Sequence, residues 1–157
     1  YEPDDKGRVS IKKLYLDPFM DMWNLEILSY GISDRPSAQS IMTALNEAID
    51  ATNDCKFRRT FHSDRGWAYQ MVADRQTLKS NRVFQSMSRK GNCYDNSPME
   101  NFFGIMKQEM YYGQVYSSFD ELKDAIEKYI RYYNQKRGKA SLGYRSPVEY
   151  REYMLAA

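Results

Sequence analysis

Two cysteines, one histidine and no long apolar run set the first limits on this chain of 157 residues. Cys55 and Cys93 lack CxxC spacing, and His62 is not in register with either. A zinc site of the usual Cys/His kind is therefore not indicated. Two thiols outside any disulfide framework suit a reducing cytoplasm, and that compartment is the expectation. No stretch approaches the ~20 apolar residues of a membrane span. No secretory signal is visible, so no membrane partner is expected. The first residue is Tyr1 rather than Met, which leads us to expect a fragment or a processed chain. The net charge of +2 is too small to announce a polyanion partner by itself.

Aromatic residues are plentiful, and fourteen of them are tyrosines. The length suits one domain with a real core. The charge is unevenly spread. Residues 1–60 carry eight Lys and Arg against ten Asp and Glu, and residues 61–157 carry fifteen against eleven. A basic C-terminal part is compatible with nucleic acid, although a solvated surface explains an asymmetry of this size equally well.

Residues 1–12 are polar and turn-rich and read as a loop or hairpin tip. An apolar strand is predicted over residues 13–20, a turn over 21–24, and a strand of period two over 25–32, closing an antiparallel hairpin. Ser37 or Asp34 caps a helix reaching about Thr52, with Ile41, Met42, Leu45 and Ile49 on one face. Residues 57–62 form a short strand that ends at Asp64. A helix over 70–81, a strand over 83–88 and a loop over 89–97 follow. Pro98 suits the first turn of a helix whose stripe is Met99, Phe102, Phe103, Met106 and Met110. Ser118 and Glu121 make a capping box for a long helix carrying Leu122, Ile126, Tyr129, Ile130 and Tyr133, ended by Gly138. A short helix begins at Val148. This order predicts an α/β fold, a mixed sheet flanked by helices.

The residues that point to chemistry are acids. Asp64 follows a strand, where open α/β sheets place their sites, although Asp-Arg-Gly is also an ordinary turn. Glu100 lies near a helix start, where an acid complements the dipole in any case. Thirty-five residues separate them. A carboxylate at a strand end and another on a helix can converge on Mg²⁺, which is held by one or two carboxylates plus substrate phosphate oxygens. Lys107 follows Glu100 by seven residues, close to two turns at about 3.6 residues each. The two therefore share the helix face opposite the Met/Phe stripe. His62, two residues before Asp64, shares its strand face and either borders the site or is a buried, hydrogen-bonded histidine. Asp95 and Asn96 shape local turns or the rim of the site. Arg89, Lys90, Lys136 and Arg137 are candidate phosphate contacts, with surface charge as the plainer explanation. Tyr132, Tyr133 and Asn134 add stacking or hydrogen-bonding options.

Several stretches, taken in order, carry a resemblance: His62-Ser63-Asp64-Arg65-Gly66, Ser86 to Asn96, Glu100-Asn101-Phe102-Phe103, Lys107-Gln108-Glu109, Tyr132-Tyr133-Asn134 and Leu142-Gly143-Tyr144-Arg145-Ser146-Pro147. The chain resembles bacterial insertion-sequence transposases of the second-reading-frame type, which have a retroviral-integrase-like core, from Leu14 onward. The resemblance implies an RNase H-like fold, with residues 1–157 as the catalytic core and residues from about 138 to 157 as a C-terminal tail. It implies an Asp, Asp, Glu triad binding Mg²⁺ or Mn²⁺, two ions in all, in which Asp64 and Glu100 are the second and third acids. Lys107 matches the family's DNA-contacting base. Cleavage and joining of DNA strands, action on transposon ends and target DNA, homo-oligomers and a nucleoid-associated location are further implications. The family's first acid lies in an Asp-x-Thr strand. Asp4 and Asp5 do not match it, because Lys6-Gly7 follows where Thr and an apolar residue belong. That strand is expected upstream of Tyr1. Asp21 matches another family position and is expected to border the site. A nuclease that cuts without strand transfer and a DNA-binding or assembly remnant are the two rival readings.

Overall fold

The computed structural model describes residues 2–3, 9–10, 12–63, 72–87 and 97–157. The chain begins with a minimal antiparallel pair, β1 (Glu2–Pro3) with β2 (Val9–Ser10). β3 (Tyr15–Met20) and β4 (Ile27–Ser33) then form the predicted hairpin. Its turn is shaped by Asp21. One carboxylate oxygen accepts from the Trp23 N–H at 2.9 Å, and the Asp21 carbonyl accepts from Leu25, whose φ of +64° closes the turn.

The hairpin is covered on both faces. α1 (Ala38–Ala51) starts at Ser37, whose hydroxyl accepts from the Ser40 N–H. It packs Ile41, Ala44, Leu45, Ala48 and Ile49 against Phe19 and Leu28. The two alanines let helix and strand approach closely. The Ser29 hydroxyl donates to the Ala44 carbonyl at 2.6 Å, and a Cβ on Gly31 would lie 2.4 Å from the Ser40 hydroxyl. Gly31 is therefore fixed by proximity rather than by flexibility.

The opposite face holds a second core of Leu14, Leu16, Met20, Ile27, Tyr30 and Ile32 beneath α3 (Ser97–Met106) and α4 (Phe119–Gln135). The sequence periodicity does not show how both Ile27 and Leu28 are used. A bulge between Phe19 and Met20 adds a residue to β4, so Ile27 faces one core and Leu28 the other.

β5 (Thr60–Ser63) pairs in parallel with β6 (Phe84–Met87), and α2 (Val72–Ser80) lies between them in the chain. A parallel pair needs such a crossover. β5 starts later than predicted, because Arg59 serves as a clamp. Its guanidinium donates to the Ile49 carbonyl at 2.8 Å and to the Asn81 carbonyl at 2.9 Å, joining the end of α1 to the turn after α2. Phe61 and Leu78 complete the first core. Among the described residues the strands form three two-stranded ladders, antiparallel and parallel, with helices on both faces. The predicted mixed α/β arrangement is thus present.

Two helix details differ from expectation. The Ser118 hydroxyl caps α4 by accepting from the Glu121 N–H, but the Glu121 carboxylate turns back to the N–H and hydroxyl of Ser117, so the box is displaced by one residue. The final helix, α5 (Pro147–Ala156), starts one residue before the predicted Val148 and carries a complete capping box between Ser146 and Glu149. α5 is held to the β3–β4 turn. The buried Asn24 amide donates to the Glu26 carboxylate at 2.9 Å and to the Pro147 carbonyl at 3.3 Å. Arg151 completes an ion pair with Glu26 at 2.6 Å. No helix among the described residues is long and apolar enough to cross a membrane.

Candidate active site

α3 is the element that presents the acid. Phe102 and Met106 are buried, and Phe102 packs edge-on against Tyr133 of α4 at a centroid separation of 4.9 Å. Fixing those two positions fixes the opposite face. Glu100 lies there, exposed, in the first turn of α3. Among the described residues no group pairs with its carboxylate. Lys107 is exposed as well, and α-helical geometry runs unbroken from Ser97 to Met106 between them. The face shared by Glu100 and Lys107 therefore persists up to Lys107.

Beyond that point the helix changes. Lys107–Tyr111 is a π-helical turn closed by the Tyr112 N–H and the Lys107 carbonyl at 2.7 Å. Such wide turns insert one residue into a helix and recur at functional sites. Here Glu109, on this turn, meets α4 and the residues just after it. The Tyr129 phenol donates to its carboxylate at 2.8 Å, and Arg137 grips both oxygens from Nε and Nη2 at 2.7–2.9 Å. Hydrogen bonds from Arg137 hold the Glu109 carboxyl below its usual range, and the same contact raises Arg137. Burial, and then the Glu109 hydrogen bond, push the Tyr129 phenol well up. Burial alone lifts Tyr133 to about 12.

The remaining sequence candidates divide as follows. Asp64, Arg89, Lys90 and Asn96 lie outside the described residues. β5 is described to Ser63, the residue before Asp64. Ser63 is buried, and its hydroxyl has no hydrogen-bond partner among the described residues. His62 is half-buried, with Nδ1 3.1 Å from the Ser86 hydroxyl across the β5–β6 pair. Asp21 sits in the hairpin turn, with one oxygen engaged by Trp23. Lys136 is exposed just past α4, whereas the fork of Arg137 is occupied by Glu109.

The Tyr-Tyr-Asn segment is largely structural. Tyr133 is fully buried, and the Asn134 side chain both accepts from the Ile27 N–H and donates to the Ile27 carbonyl, each at 2.9 Å. Sequence reasoning gave no role to Glu109, Asn24, Glu26 or Arg151. The Ser-x-x-Glu pattern at Ser146 could have revealed the last cap. No local pattern reveals the rest, because their partners are distant in sequence.

The donor chemistry fits a hard cation. Glu100 offers a carboxylate with no partner among the described residues, and in the sequence a second acid, Asp64, directly follows β5. Among the described residues no three His, Cys, Asp or Glu side chains gather closely enough to hold a metal ion. Divalent magnesium with one or two protein carboxylates and substrate oxygens needs no such cage.

Comparison with known proteins identifies the family and the fold. The integrase core domain family matches residues 3–93, and a second integrase core domain family matches residues 100–155. The chain belongs to the integrase core family. An uncharacterized transposase-like protein of Haemophilus influenzae is 43% identical over 143 residues, covering 91% of this chain and 65% of that protein. The putative transposase InsK of insertion sequence element IS150 from Escherichia coli is also 43% identical over 143 residues, covering 91% of this chain and 50% of its own length. The chain thus spans about half to two-thirds of these relatives. In three dimensions it resembles the HTLV-2 integrase catalytic core, determined in complex with magnesium in a trimeric form. The TM-score is 0.61 at 13% identity, covering 88% of this chain and 91% of that one. The BIV integrase core matches with a TM-score of 0.56 at 17% identity, covering 91% and 95%. The fold is accordingly the RNase H-like fold of integrase catalytic cores.

Proposed function

We propose that this chain is the catalytic core of an insertion-sequence transposase that cuts DNA strands and joins them to a target, with Asp64 and Glu100 among its metal-binding acids. The observation that carries the reading is the Glu100 face of α3. Glu100 has no partner among the described residues and stands in the first helical turn, with Lys107 exposed nearly two turns further along. The two transposase relatives at 43% identity support it. Mg²⁺ or Mn²⁺ bound at Asp64 and Glu100 would activate the attacking oxygen and stabilise the leaving one, the usual two-ion division of labour. The protein's own contribution is placement. The buried Phe102–Tyr133 contact and the Glu109–Arg137 pair fix α3 and its extension on α4, so Glu100 and Lys107 present carboxylate and ammonium to one DNA backbone.

Within this reading residues 1–157 act as one integrase-like core, with residues from about 138 to 157 as its tail. Lys107, Lys136, Arg89 and Lys90 contact phosphate. Arg137 reaches DNA with whatever hydrogen-bonding capacity Glu109 leaves it. Asp21, His62 and Asn96 border the site. DNA ends and target DNA are the partners, the working form is a homo-oligomer, and the site of action is the bacterial nucleoid.

The test is Mn²⁺-dependent strand transfer of a pre-cleaved DNA end, with the chain at its full natural length. Transfer that is lost in both Glu100→Gln and Asp64→Asn, with DNA affinity retained, supports the assignment. Undiminished transfer in either variant removes that residue from the chemistry.

A further inference from the structure

Tyr144 stands apart among the described tyrosines. It is 83% exposed, and its backbone is left-handed, with φ of +63° directly after Gly143 at +62°. A bulky residue seldom adopts that conformation, and strain of this kind concentrates at functional positions. The turn is nevertheless firmly built. The Tyr144 N–H donates to the Lys139 carbonyl at 2.9 Å, and the Lys139 N–H donates to the Arg145 carbonyl at 3.0 Å. Leu142 is buried below, and Ser146 starts the α5 cap above. Gly138 admits the turn, because any Cβ there would lie 2.6 Å from the Tyr144 carbonyl oxygen. The ring is thus held out, largely exposed, from a hydrogen-bonded base.

The chain on either side of it is basic, with the Glu149 carboxylate, which accepts from the Ser146 N–H, as the neighbouring acid. Between Asn134 and Glu149 the sequence holds Lys136, Arg137, Lys139 and Arg145 and no acid. Glu109 answers Arg137, and Lys139 donates to the Tyr133 phenol at 3.0 Å. Lys136 remains exposed, and Arg145 is stacked over the Tyr153 ring at 4.0 Å. A rigid exposed ring among cations is how sequence-tolerant sites hold single-stranded nucleic acid, with bases stacked on the ring and phosphates drawn by the charge.

We infer that Tyr144 is a stacking platform for an unpaired DNA base, with Lys136 and Arg145 attracting the flanking phosphates. The inference rests on the transposase reading, in which strand ends are separated from their complements. It assigns the Tyr144 turn to a single strand, whereas the Glu100–Lys107 face meets the reacting backbone.

The experiment is fluorescence anisotropy with a labelled oligo(dT) strand and a labelled duplex, using the whole chain and its Tyr144→Phe and Tyr144→Gly variants. Glycine suits a left-handed position, so Tyr144→Gly should melt no lower than the parent. Its affinity for oligo(dT) should nevertheless fall at least about fivefold, the low end of one base stacked on an aromatic ring. Duplex affinity should stay unchanged, and Tyr144→Phe should behave like the parent. Equal oligo(dT) affinity in Tyr144→Gly, with duplex binding intact, overturns the platform and leaves the transposase reading standing. Loss of self-association in sedimentation, with both DNA affinities unchanged, overturns it in favour of a contact between copies. Failure of the parent to bind either DNA overturns the platform and the DNA-acting reading together.

Discussion

Glu109→Gln isolates the contact that fixes the extension of the acid-bearing helix. The substitution keeps an oxygen for the Tyr129 phenol but removes the charge that Arg137 grips and turns an amide toward the guanidinium. Hydrogen bonds to charged groups contribute about 1.5–3 kcal/mol each when sheltered. The side chains of Arg137 and Glu109 are 21% and 36% exposed, so solvent screens part of that. A loss of about 1–2 kcal/mol remains. At roughly 2–4 °C per kcal/mol for a domain of this size, Tm should fall by about 2–8 °C. Thermal unfolding followed by circular dichroism measures it. The pH dependence supplies a stricter check. The folded Glu109 pKa lies below its ordinary 4.5, so the contribution is present above that value and lost as the pH falls through the folded pKa. The gap between parent and variant should therefore be widest near neutrality and close in acid. An equal Tm at neutral pH, or a gap that persists unchanged in acid, would refute the account of this pair.

Three further outcomes are expected. Gly104 and Gly138 should respond to alanine with opposite signs in urea unfolding. Gly104 lies in α3 with open space where a Cβ would lie, so Gly104→Ala should gain roughly 0.5–1 kcal/mol. Gly138→Ala should lose about 1–3 kcal/mol against the Tyr144 carbonyl, and a neutral result there would mean the turn yields. Phe102→Ala should cost about 3–5 kcal/mol because its ring is wholly buried against Tyr133, and half-buried Phe103 should cost less; the reverse order would put the wrong ring in the core. Burial raises the folded pKa of Tyr129 and Tyr133 above the ordinary 10.0. Stability is thus intact below pH 10 and lost as the pH climbs through about 12. The last phenolates should form only as the chain unfolds in alkali, and complete phenolate absorbance before unfolding would contradict the burial.

The parts legible in the sequence are those governed by local rules. Ser37 begins α1, Pro98 sits in the first turn of α3, and the Leu122 to Tyr133 stripe faces the core because spacing and caps act within a few residues. Glu100 and Lys107 could be placed on one face for the same reason. The β4 bulge escaped, because it depends on two cores competing for Ile27 and Leu28. The π turn escaped, because the partners that accompany it, Tyr129 and Arg137 on Glu109, lie twenty and twenty-eight residues away. In the sequence Gly138 looks like a helix stop, but α4 already ends at Gln135, and Gly138 is required instead by the close pass of Tyr144. Phe103 was counted equal to Phe102 on the stripe, and helical spacing does not decide which of two neighbouring rings Tyr133 covers.

The Asn134–Ile27 pairing also protects the molecule from itself. A strand margin with a free N–H and C=O invites another chain to add on, the first step toward aggregates. At Ile27 both groups are occupied by one amide from α4, which behaves like a single residue of an absent neighbouring strand. That seal exists only while the helix is docked. A chain whose C-terminal helices have not yet formed exposes this stretch of the hairpin, so the risk of clumping belongs to the interval before α4 arrives rather than to the finished fold.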